Sequence, residues 1–293
     1  MTTSQPEGSP PGGGPTVRRM LLGSQLRRLR EDRGITREEA GWHIRASESK
    51  ISRLELGRVS FKERDVADLL TLYGVTADPE RGPLLSLVGE ANTPGWWHSF
   101  TDVLPGWFQP YIGLEEAASL IRAYELQFVP GLVQTEEYAR AVITNGATAT
   151  SPEVIDRRVG VRMNRQRILT RPDGPKLWVV VDEAALRRPI GGRAVMRAQL
   201  EHLIAISHKP NLTLQVMPFR FGGHAAEGGA FTILRFPEPD LADIVYLEHL
   251  AAAIYLDKRE EVDRYQEAMN RLSVDGVSPE RTPDLLAVIS KEI

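Results

Sequence analysis

The chain has no cysteine among its 293 residues. That excludes disulfides, thiolate nucleophiles and cysteine-ligated zinc, and it fits a reducing cytoplasm. No apolar run approaches the roughly 18 residues that cross a bilayer. The opening MTTSQPEGSPPGGGPT has no apolar stretch of the kind that starts a secretory signal, so residues 1–17 read as a disordered tail. Its GGG at 12–14 lacks the preceding strand and following lysine of a phosphate loop and reads as linker. Histidine is sparse: His43, His98, His202, His208, His224 and His249 lie far apart, with no HExxH or HxH spacing, and no GxSxG elbow occurs. Neither a metal site, a cofactor site nor a catalytic triad is expected, and the chain is read as a non-enzyme.

The net charge of −3 argues against a protein coated in nucleic acid, but the charge is unevenly placed. Arg18 to Arg58 holds eleven Lys/Arg against six Asp/Glu, whereas Ala91 to the end holds 22 against 26. A basic head on an acidic body is the asymmetry of a DNA reader carrying a second domain.

The basic head has its own pattern, SQLRRLREDRGITREEAGWHIRASESKISRLELGR over 24–58. Leu22, Leu26 and Leu29 form one helical stripe, with Arg27, Arg28 and Arg30 on the other face, and Gly34 stops the helix. Thr36 and Glu39 form a capping box for a second helix that turns Ala40 and Ile44 inward, and Gly41 leaves room for a close crossing. Ser47 caps a third, whose Ile51 and Leu54 point inward. This is the plan of a helix-turn-helix. A short helix enters the major groove, so the outward Ser49, Lys50 and Ser52 are the candidates for base edges. Arg37, Ser47, Arg53 and Arg58 are placed for the phosphate backbone. The competing reading, a small helical bundle with merely solvated faces, is weakened by the local positive charge.

Leu22–Val75, with SESKISRLELGR and a following helix that ends LLTLYGV, resembles an Xre-type (Cro-like) helix-turn-helix. It departs from the broad pattern at Arg37, often glutamine, and at Arg45, often glycine, where a left-handed backbone is strained. The remainder resembles the uncharacterised C-terminal domain of actinobacterial WhiJ-like regulators, through WWHSFTDVLPGWFQPYIGLEEAASLIRAYE from Trp96, VPGLVQTEEYARAVI (129–143), RPIGGRAVMRAQL (188–200) and LQVMPFRFGGHA (214–225). The resemblance implies a regulator of development or secondary metabolism in mycelial bacteria, often encoded beside a small partner protein.

Further helical stripes at Val66, Leu69, Leu70 and Tyr73 and at Leu84, Leu85 and Val88 complete the reader, with a hinge expected at Asn92–Gly95. Beyond it, strand-like runs at Leu177–Val181, Leu212–Met217, Phe231–Phe236 and Ile244–Leu247 alternate with helical stretches at 134–144, 152–170, 192–207 and 257–272. FGGHAAEGGAF reads as the loop of a hairpin between the second and third runs. Aromatics concentrate just after the hinge. Trp97, Trp107, Phe108 and Tyr111, with Glu115 and Glu116, are candidates for a ligand pocket or, on weightier grounds, a buried interface. The six arginines of 157–171 read as a basic surface paired with acids of the same body, such as those of 257–267, in preference to a second nucleic-acid contact.

The fold class expected is therefore an all-α helix-turn-helix domain at 18–91 followed by an α+β effector or dimerisation domain at 92–293. The expected function is a sequence-specific transcriptional regulator in the cytoplasm, on the nucleoid. Its partners would be double-stranded DNA, a second copy of itself, and a small-molecule effector or a small protein, with no membrane involved. Two alternatives stand beside this: an antitoxin-like regulator controlled by a small partner, and a DNA-tethered nucleotide-processing enzyme using Glu125, Asp182 and Glu183.

Overall fold

The computed structural model describes residues 15–146 and 150–293. Most of the expected tail, including the GGG, lies outside the described residues, but Pro15–Val17 do not belong to a tail. They open the first helix, where Thr16 and Val17 are buried. The chain divides into two compact units.

The N-terminal unit is all-α: α1 (Pro15–Asp32), α2 (Arg37–His43), α3 (Glu48–Glu55), α4 (Glu63–Leu72) and α5 (Asp78–Ala91). Leu22 and Leu26 of α1, Ala40 of α2, Ile51 and Leu54 of α3, and Val66, Leu69, Leu70 and Tyr73 of α4 share one core with Val88 and Ala91 of α5. Burying each of the leucine, isoleucine and valine side chains among them stabilises the unit by roughly 1.5–3 kcal/mol. The expected hinge is displaced, because the Asn92 carboxamide is tied down. It accepts from Phe61 N at 3.0 Å and donates to Phe61 O at 2.6 Å. The unit runs on to Ser99 and takes in residues 110–117, most of α6 (Gln109–Ala117), together with 238–241.

The second unit is α+β. In chain order it contains β1 (Leu120–Glu125), α7 (Glu136–Gly146), α8 (Pro152–Arg165), β2 (Lys176–Asp182), α9 (Glu183–Arg187), α10 (Arg193–Ile206), β3 (Leu212–Met217), β4 (Phe231–Arg235), β5 (Ile244–Glu248), β6 (Ala253–Leu256), α11 (Arg259–Asp275) and α12 (Thr282–Glu292). One six-stranded sheet has the order β3-β2-β1-β4-β5-β6. Strands β1, β2 and β3 are parallel; β4, β5 and β6 form an antiparallel meander joined to β1. The expected hairpin is thereby overturned: β3 lies on the sheet edge and β4 beside β1, with two strands between them. Because β3 and β4 are not neighbours, the glycine-rich segment carries the chain past the ends of β2 and β1 instead of closing a tight turn. Val179, Val180 and Val181 are all fully buried, so β2 is covered on both faces. Helix α11 supplies Val262, Met269 and Leu272 to the cluster that contains Tyr124, Val180, Ile233 and Val245. Among the described residues no helix is long and apolar enough to cross a membrane.

Candidate nucleic-acid interface

The entry to α2 is built as its sequence demands. Thr36 Oγ1 accepts from Glu39 N at 3.1 Å, and the Glu39 carboxylate accepts from Thr36 N at 2.7 Å, so two otherwise orphaned amides are satisfied. That hydrogen bond holds the Glu39 carboxyl below its ordinary range. The turn into α3 is close. A Cβ on Gly41 would lie 2.8 Å from the Ala46 carbonyl oxygen, and Ala46 N donates to Gly41 O at 2.7 Å. Arg45 sits at φ 55°, the left-handed conformation that the departure from glycine made costly.

Ser47 caps α3, its Oγ accepting from Lys50 N at 3.2 Å. The hydroxyl hydrogen is left to donate, which suits a phosphate oxygen. On α3 the expected outward residues are outward to different degrees. Ser49 and Arg53 are exposed and Ser52 is half-buried; Arg53 Nε donates to Ser49 O at 3.2 Å. Arg58, just beyond the helix, is exposed. Lys50 leans towards α4, where its Nζ meets Asp65 Oδ2 at 2.6 Å. A base contact by Lys50 therefore has to break that ion pair first. Arg37 is also engaged, its Nε donating to Glu55 Oε2 at 3.0 Å.

Glu55 is the residue whose importance the sequence reading missed, together with Arg30, which it had placed on the outer face. Both are buried: Arg30 is 6% and Glu55 5% exposed. Arg30 forks onto the Glu55 carboxylate, with Nη2 to Oε2 at 3.1 Å, and its Nη1 donates to Ile35 O at 2.7 Å. The hydrogen bond to Glu55 holds the Arg30 guanidinium above its ordinary pKa against desolvation. Arginines from α1 and α2 thus converge on the last turn of α3 and fix how it stands. A signal existed in the spacing. Arg30 continues the stripe Leu22–Leu26, and Glu55 follows Ile51 by one turn, so opposite charges occupy two inward stripes. Gly23 on α1 gives a second signal, since a Cβ there would lie 2.5 Å from Leu54 O of α3. Trp42, 84% exposed on α2, was also missed.

The aromatic candidates divide between the two units. In the first, Trp97 is buried, and Cβ atoms on Gly95 or Gly113 would run into its ring. Tyr111 and Glu115 are buried there as well, and Glu116 is half-buried. In the second, Trp107 and Phe108 pack edge to face at 5.9 Å, Arg165 lies 4.9 Å over the Phe108 ring, and Tyr255 Oη donates to Trp107 O at 2.8 Å. The helix expected to pair with 257–267 finds other partners: Arg157 pairs with Asp102, and Arg162 donates to Gln134 Oε1 at 2.8 Å.

The carboxylates singled out beside the strands have separate jobs. Asp182 caps α9, accepting from Ala184 N at 2.8 Å, and accepts from Tyr124 Oη at 3.2 Å, which also meets His224 Nε2 at 3.0 Å. Glu183 accepts from Phe219 N at 2.8 Å and from Arg187 Nε at 2.6 Å. Glu125, at the end of β1, is pushed up to about 8, chiefly by desolvation and then by Glu248. Among the described residues no group of three His, Asp or Glu side chains is arranged to hold a metal ion.

Residues 21–84 match a family model described as a helix-turn-helix domain, which agrees with the geometry of α2, its turn and α3. Such a domain marks a DNA-binding regulator. No curated protein and no solved structure matches the chain. Residues 108–287, more than half the chain, match the model for a domain of unknown function, DUF5753, and the chain therefore belongs to that family.

Proposed function

We propose that the protein is a sequence-specific transcriptional regulator that reads duplex DNA with α3 and works as a homodimer. The observation that supports this most is the disposition of α3: capped by Ser47, braced from within by Arg30 and Arg37 through Glu55, and presenting Ser49, Ser52, Arg53 and Arg58 outward. A helix of this kind contacts only a few base pairs. Two of them, spaced by one helical turn of about 34 Å, supply specificity that one lacks. Ser49, Ser52 and Lys50 read base edges, Lys50 after leaving Asp65, while Ser47, Arg53 and Arg58 hold phosphates. The DUF5753 unit is the sensing or partner-binding half and carries no catalytic function.

The test is selection of bound genomic fragments by the full-length protein and by a Lys50→Ala/Ser52→Ala variant. A palindromic motif enriched by the wild type and lost in the variant supports the reading. Equal enrichment by both, or none by a folded wild type, overturns it.

A further inference from the structure

The second unit holds a cleft of about 210 Å³ where the 3-10 turn after α8, the end of α10 and the first residue of β3 come together. Met163, Ile206 and Leu212 give it an apolar floor, and Arg167, His202 and Lys209 stand around it. Arg167 and Lys209 are exposed, and among the described residues neither forms an ion pair. Other basic side chains of this unit are held by acids, as Arg140 is by Asp156, Arg187 by Glu183 and Glu292, and Arg235 by Asp243, whereas these two are left to meet a ligand's charge. Desolvation, with Lys209 nearby, holds the His202 imidazole below its ordinary pKa, so it is neutral at pH 7 and offers a hydrogen-bonding group.

We infer that this cleft is a binding site for a small organic anion: an apolar body against Met163, Ile206 and Leu212, and a carboxylate or phosphate held by Arg167 and Lys209. The charges are complementary, and guanidinium and ammonium groups are the usual partners of such anions. Size sets the class of body. A cavity of about 150 Å³ holds a benzene ring, so the cleft takes one ring or a short chain plus its headgroup, and not a nucleotide.

The test is calorimetric titration of the full-length protein with benzoate and with phenyl phosphate. One of them should bind at one per chain with a dissociation constant below 1 mM, and an Arg167→Gln/Lys209→Gln variant should bind it at least tenfold more weakly. Both substituted residues are exposed, so the variant keeps its fold. Benzylamine, the same ring with a cation, should not bind. Equal binding by the variant, no binding of either anion, or inorganic phosphate binding as tightly as phenyl phosphate overturns the inference. So does displacement of the probe by a DNA duplex, which would make the cations a nucleic-acid contact. The titration contains no DNA, so its failure leaves the reading of α3 standing.

Discussion

Replacing Glu55 tests whether the buried charge network holds the recognition helix. In Glu55→Gln the side chain keeps its shape, but an amide donor replaces an oxygen that faces Arg30 Nη2 at 3.1 Å and Arg37 Nε at 3.0 Å. Arg30, 6% exposed, then keeps only the longer contact of its Nη2 with the exposed Glu31 carboxylate at 3.3 Å. Breaking a buried pair in this way costs about 3–5 kcal/mol. Arg37 adds less, because a third of its side chain is exposed and water screens it. For a helical unit of this size, with total stability of about 5–15 kcal/mol, the loss is a large fraction. At roughly 4–8 °C per kcal/mol, the first calorimetric transition should fall by more than about 12 °C. Hydrogen exchange in α1–α4 should accelerate, while the β-sheet unit keeps its protection. The exposed Arg64–Asp68 pair of α4 is the control, and Asp68→Asn should change almost nothing. If Glu55→Gln behaves like Asp68→Asn, the network does not stabilise the unit and the reasoning fails. Replacing Arg30 and Glu55 together by methionine should recover most of the loss, because no unpaired buried charge remains and Arg37 is open to water.

Three further outcomes follow from the same structure. Asp65→Asn frees Lys50 from a half-exposed ion pair worth up to about 1 kcal/mol, so affinity for the preferred DNA site should rise by up to about fivefold; fluorescence anisotropy should show no such gain in a Lys50→Ala background, and a gain there would sink the base-reading role. Arg45→Gly relieves the left-handed strain at φ 55° and should raise stability by about 0.5–1 kcal/mol after the extra entropy of glycine is subtracted; a lower urea midpoint would contradict this. The Glu125 carboxyl has its folded pKa raised to about 8 from 4.5, so its contribution is fully present below 4.5 and is lost as pH rises to 8. The stability of the wild type relative to Glu125→Gln should accordingly fall across that window, and parallel urea midpoints would show that the carboxyl is not held neutral.

Local chemistry made the reader legible from sequence. Thr36 with Glu39, Ser47 ahead of α3, Gly41 at the crossing and the leucine stripe of α1 are short-range signals, and the capping bonds and close contact observed are the ones those residues make. The strands with continuous valine and leucine runs were legible too, since β2 is buried on both faces and tolerates no polar alternation. Strand β1 was not, because LIRAYE places Arg122 and Glu125 in a short run that follows a helical pattern, and β6 has only four residues at the sheet edge. By itself, then, the sequence determined the helix-turn-helix, its caps and the α+β character of the body. The tertiary structure decided which strands are neighbours, and so turned an apparent hairpin into a passage across the sheet. It also decided which charges face inward. Arg30, Glu55, Lys50 and Asp65 are ordinary surface-type residues in one dimension, and only when α1, α2, α3 and α4 pack does the partner that satisfies each of them come within reach.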